Sequence, residues 1–130
     1  MEKREPAKSF KELIVWQKAH QLVLNVYQAT KAFPKEEMYG LSSQIKRSSV
    51  SIAANIADGF KKKGIADKLK FMNTAQGSLS ETEYHLLLAN DLEYFNTTKL
   101  TKDAEEAGRL LEAYMRGIRG NNSLLLHPAS

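Results

Sequence analysis

Cysteine does not occur in the 130 residues. Disulfide scaffolds, thiolate metal sites and cysteine nucleophiles are thereby excluded, and a reducing compartment is permitted. Proline appears only at Pro6, Pro34 and Pro128 and the 7 glycines are scattered, so collagen-like and Pro/Gly-rich disordered readings have no support. Long apolar runs are missing too, since a stretch such as Leu86 to Ala89 is far short of the roughly 20 residues that a membrane span needs. The N-terminus, Met1-Glu2-Lys3-Arg4-Glu5, is charged and leads into no apolar signal segment. The expectation is a soluble cytoplasmic protein of one domain with no membrane partner.

What the chain does have is helical period. Ser9-Phe10-Lys11-Glu12 is a capping box, a serine whose third following residue is a glutamate able to bond back to its N–H, and it predicts a helix start. Leu13, Trp16, Ala19, Leu22 or Val23, Val26 and Thr30 then give one apolar side, and Phe33-Pro34 ends it. A second helix follows Pro34 to about Lys62, with Leu41, Ile45, Ser48, Ile52, Asn55 or Ile56 and Gly59 on its stripe. After a break at Lys63-Gly64, the third carries Leu69, Met72, Ala75, Leu79, Thr82, Leu86 and Ala89 to about Tyr94. A fourth takes Thr101 as N-cap, places Asp103, Glu105 and Glu106 in its positive first turn, and stops at Gly120-Asn121-Asn122. No segment alternates as a strand would. The prediction is an all-α, antiparallel up-down-up-down four-helix bundle over residues 9–120, between a disordered arm at 1–8 and a flexible tail at 121–130.

Motifs for chemistry are few. None of His20, His85 and His127 has a glutamate three positions before it, so the Glu-x-x-His pattern of a di-metal bundle is lacking. His20 and His85 read as surface or rim residues, and His127 falls in the tail. Phosphate-loop, dinucleotide, zincin and nucleophile-elbow patterns are likewise absent from the sequence. The expectation is a protein without enzymatic activity, cofactor or metal.

Two constellations stand out. Gln44, Arg47, Ser48, Ser51 and Asn55 lie at or beside core-facing positions of the second helix, and buried polar groups need partners. On the third helix Glu81 is available, near Gly77 and Ser78, whose small side chains suit close backbone approach. This predicts a polar layer in which Arg47 or Asn55 meets Glu81, either fixing helix register or lining a polar cleft. The second constellation is basic: positions 42–70 carry seven Lys/Arg (Lys46, Arg47, Lys61, Lys62, Lys63, Lys68, Lys70) against Asp58 and Asp67, a balance of +5 in a chain of net charge +4. Lys61-Lys62-Lys63 at a helix C-terminus is explained either as a solvated cap on the negative dipole end or as a surface for nucleic-acid phosphates, with Phe60 and Phe71 close enough to add stacking.

The stretches Leu13-Ile14-Val15-Trp16-Gln17-Lys18-Ala19, Phe33-Pro34-Lys35-Glu36-Glu37-Met38-Tyr39-Gly40-Leu41, Gln44-Ile45-Lys46-Arg47, Asn55-Ile56-Ala57-Asp58-Gly59 and Gly77-Ser78-Leu79-Ser80-Glu81 resemble, in order and spacing, the small bundle proteins encoded in intervening sequences of bacterial 23S ribosomal RNA genes. The resemblance implies a homo-oligomer, described as a pentamer, with no known enzymatic activity. It also implies kinship with the accessory protein of diversity-generating retroelements, thought to bind nucleic acid and a reverse transcriptase. Lys46 and Arg47 match the family's basic pair, and Asn55 and Gly59 match its Asn-Ile-Ala-Glu-Gly pattern, in which Asp58 replaces the glutamate. Two functions are expected: binding of RNA or DNA through Lys46, Arg47, Lys61, Lys62, Lys63 and Lys68, or a protein-binding scaffold whose aromatics Trp16, Tyr27, Tyr39 and Phe60 serve contacts between subunits or with a partner.

Overall fold

The computed structural model describes residues 6–126. Residues 1–5 of the expected arm and 127–130 of the expected tail, His127 included, lie outside them. The four helices are α1 (Ile14–Thr30), α2 (Leu41–Lys61), α3 (Ile65–Asp91) and α4 (Thr98–Leu126), and no strand occurs among the described residues.

The capping box forms, with Glu12 accepting from Ser9 N at 2.9 Å and Ser9 Oγ accepting from Lys11 N at 3.2 Å. It closes a separate 3-10 turn at Phe10–Glu12, however, and does not start α1. Leu13, extended at φ −75° and ψ 125° and packed against the core, lies between the two and leaves α1 with no side-chain cap. α1 ends at Thr30, ahead of the expected Phe33, because Ala32 N and Phe33 N bond three residues back and tighten the chain before Pro34.

Glu37 supplies the start of α2. One carboxylate oxygen accepts from Leu41 N at 3.0 Å and the other from Tyr94 Oη at 2.7 Å, tying the α1–α2 connection to the α3–α4 loop. These two bonds hold the Glu37 carboxyl below its ordinary value.

α3 stops at Asp91, short of the expected Tyr94. Tyr94 N donates to Ala89 O at 2.9 Å and Glu93 N to Asn90 O at 3.0 Å, the paired bonds of a Schellman turn, and Glu93 takes its left-handed position at φ 62°. α4 begins at Thr98, one turn before the expected Thr101, after Thr97 has buried itself by donating its hydroxyl to Leu86 O at 2.9 Å. Nor does Gly120 end it: the helix runs on to Leu126.

Each helix touches both of its sequence neighbours, and α1 touches α4. The paired contacts run in opposite senses. Ser48 meets His85 while Ser51 meets Ser78, Leu79 lies against Gly108 while Asn90 shares a groove with Thr97, and Lys18 reaches Glu106 while Ala29 shares a groove with Leu100. The fold is a four-helix bundle. Leu22, Val26, Ile45, Ile52, Ile56, Met72, Leu86 and Leu111 fill its centre with no more than 1% exposure, and this burial drives assembly. Gly59 is the point of closest approach between α2 and α3: a Cβ there would stand 2.5 Å from Met72 Cε and 2.8 Å from Phe71 Cβ. Gly77, expected to serve that purpose, has nothing within 4 Å of such an atom.

Candidate nucleic-acid interface

The α2–α3 seam is polar, and Ser48, Ser51 and Asn55 take part in it as expected, joined by Ser78, Thr82 and His85. Ser48 Oγ lies 3.2 Å from His85 Nδ1 and accepts from Thr82 Oγ1 at 2.8 Å. One turn along, Ser51 Oγ and Ser78 Oγ are 2.8 Å apart, and Asn55 Nδ2 donates to Ser51 O at 2.8 Å. Gln44 and Arg47 are exposed, and neither Arg47 nor Asn55 bonds Glu81 among the described residues. Glu81 is exposed too, and its carboxylate stands 3.9 Å from His85 Nε2.

The long side chains sit at the rim, where water solvates them at no cost. Small hydroxyls take the interior because each can satisfy itself on the preceding turn, as Ser48 does on Ile45 O and Ser49 on Lys46 O. His85 is therefore not a rim residue: it is 4% exposed. Its position three residues after Thr82 on the stripe was the signal for that. Burial holds its imidazole below the ordinary value, opposed by the Glu81 charge. Ser48 and His85 are buried and find their partners within the bundle, which suits a layer that fixes helix register.

The basic candidates separate into two groups on α2. Arg47 and Lys61 are 14 residues apart, close to one face of the helix and about 21 Å apart along it. Lys46 leans over the Tyr27 ring, 5.1 Å from its centroid. Lys61, Lys62 and Lys63 lie at the α2–α3 turn, where Lys61 and Lys63 are exposed and Lys62 sits 4.9 Å over Phe71.

Capping of the α2 terminus falls to Lys68, whose ammonium donates to Phe60 O at 2.7 Å and lies 5.4 Å over the Phe60 ring. Partial burial lowers its pKa. Lys68 is thus committed to holding the turn, while Lys61 stands in the last turn of α2, at the negative end of its dipole. Lys70 is exposed in the second turn of α3.

The fold adds two cations that a reading confined to positions 42–70 missed. Gly117 and Ile118 of α4 line one cleft of about 550 Å³ with Phe60, Ile65 and Lys68, which brings the exposed Arg116 and Arg119 to the lysine end. Their one signal in sequence was antiparallel topology, which sets the last turns of α4 beside the first turn of α3. No group of three His, Asp or Glu residues suited to a metal ion occurs among the described residues, and no helix there is long and apolar enough to cross a membrane.

The profile of the 23S rRNA-intervening sequence proteins matches residues 11–113. Among solved structures, the chain is similar to the crystal structure of a protein with unknown function from the S23 ribosomal protein family of Bacteroides thetaiotaomicron. The two share 27% identity and superpose with a TM-score of 0.70 over 78% of this chain and 98% of that one. Comparison with curated proteins gives no match. With the profile covering α1, α2, α3 and the first half of α4, and a relative of the same fold, the chain belongs to the 23S rRNA-intervening sequence protein family.

Proposed function

We propose that the protein is a non-enzymatic, cytoplasmic RNA-binding bundle that holds phosphates at the end formed by the α2–α3 turn and the neighbouring turns of α4. The observation that carries this is the gathering there of Lys61, Lys63, Lys70, Arg116 and Arg119, all exposed and none in an ion pair among the described residues. Exposed cations in excess of the carboxylates around them attract a polyanion and release its counterions, a driving force that needs no base readout.

Mobility shifts with a structured RNA at about 50 and 200 mM salt test the reading: binding at the lower concentration should weaken steeply at the higher. Charge reversal at Lys61, Lys62 and Lys63 should reduce affinity alike for unrelated sequences. No binding at low salt removes the proposal.

A second reading, a homo-oligomeric scaffold, draws on the apolar surface of α1 and α2. Ile14, Leu24, Tyr27 and Val50 are each 40–49% exposed. A scaffold of this kind buries such residues against copies of itself or a partner. Light scattering at micromolar concentration that reports a monomer would remove its support.

A further inference from the structure

Among the described residues, the rings at the basic end are engaged by the protein itself. Phe71 lies under the Lys62 ammonium and Phe60 under that of Lys68, and both rings are half-buried. Tyr114, which lines the cleft beside Phe60, is half-buried as well. Trp16 stacks on His20 with planes 7° apart and receives the edge of Phe10 at 4.9 Å. Of the exposed tyrosines, Tyr27 lies in the last turn of α1, Tyr39 in the α1–α2 connection and Tyr84 in the second half of α3, all away from the α2–α3 turn.

A surface that captures single strands offers free aromatic faces, since stacking replaces the order that a flexible strand gives up. Among the described residues, this end has cations and no such free face. Its cations also stand on helices that are fixed to one another. Arg47 and Lys61 are about 21 Å apart on one side of α2, with the exposed Asp58 between them, and the Arg116–Arg119 turn is joined to the start of α3 through the shared cleft. Charges mounted on a fixed scaffold are best met by a partner whose phosphates are already in line, because the partner then gives up little conformational freedom.

We infer that the ligand of this surface is double-stranded RNA, held by its phosphates and A-form shape, and that single strands are poor ligands. The inference rests on the RNA-binding function proposed above and narrows its substrate. Recognition of duplex RNA through backbone contacts asks for what this surface presents.

The test is fluorescence anisotropy on the full chain with a labelled RNA duplex of about 20 base pairs and with an unstructured uridine homopolymer of equal length, both at about 50 mM salt. The duplex should bind about tenfold or more tightly. Equal affinities, or preference for the single strand, overturn the inference while leaving RNA binding in place; failure of both RNAs to bind overturns the function itself.

Phe71→Leu and Phe60→Leu, with folding verified by circular dichroism, should change duplex affinity less than about twofold. A loss of about tenfold or more in either folded variant would reveal base stacking and sink the inference. Arg47→Glu provides a further check on an exposed position that folding does not need: duplex affinity should drop several-fold, and an unchanged value would show that the α2 edge takes no part.

Discussion

His85 shows how one side chain sets a chemical limit on this fold. Its Nδ1 faces Ser48 and its Nε2 faces Glu81, and burial disfavours the protonated ring. In the unfolded chain the imidazole titrates near the ordinary 6.5; in the bundle it takes up its proton at lower pH. Between those values the unfolded state binds more protons, so stability falls as pH falls through 6.5 toward the folded value. Urea midpoints from about pH 7.5 to about 5.5 should decline, and His85→Gln should flatten that slope. Glu37, held below its ordinary 4.5, contributes in a lower window: the stability it supplies is lost only as pH falls through its own folded value.

Two glycines separate by the same reasoning at single positions. Gly59→Ala forces its new methyl toward Phe71 Cβ, which cannot swing away, so overpacking of about 1–3 kcal/mol outweighs the helix-propensity gain of about 1 kcal/mol. Gly77→Ala meets nothing and should stabilise α3 by about 0.5–1 kcal/mol. Denaturant unfolding of the pair checks both signs.

At the scale of elements, the sequence revealed the helices and their inner stripes but misplaced most ends. Period is written in every residue of an amphipathic helix, whereas an end is decided by a few bonds. Ser9 and Glu12 do form their box, yet nothing local says that Leu13 will be extended and the box will serve a 3-10 turn. The end of α3 was invisible for a different reason. Its Schellman turn places a glutamate where glycine is the usual signal, at φ 62°. Glu93→Gly should relieve the left-handed strain and stabilise the protein by about 1 kcal/mol, measurable in the same denaturation assay. At Gly120 the opposite happened: a glycine suggested a stop, and α4 passed through it.

For the molecule as a whole, the family was legible because the resembling stretches lie at the α1 start, the α1–α2 connection and the α2–α3 seam, the places where packing dictates residue type. The candidate surface was legible only in part. Lys61 and Lys63 stand out as a run, but the task of Lys68 and the arrival of Arg116 and Arg119 depend on which helix ends meet, and that is a property of topology. The polar layer was legible in part: spacing placed Ser48, Ser51 and Asn55 in it, whereas Gln44, Arg47 and Glu81, whose long side chains seemed to demand partners, reach water.

The three-residue link from Lys62 to Gly64 joins the two helices with the most extensive contact in the bundle, while ten residues separate α1 from α2. Loop closure within the central hairpin is therefore cheap, and the outer helix can detach without undoing it. Deuterium should replace amide protons slowest around Ser48, Ile52 and Leu79, at the rate of global opening, and sooner along α1. Equal protection in all four helices would mean that the bundle opens only as one unit; a graded pattern would identify α2 and α3 as the cooperative nucleus onto which the rest of the chain folds.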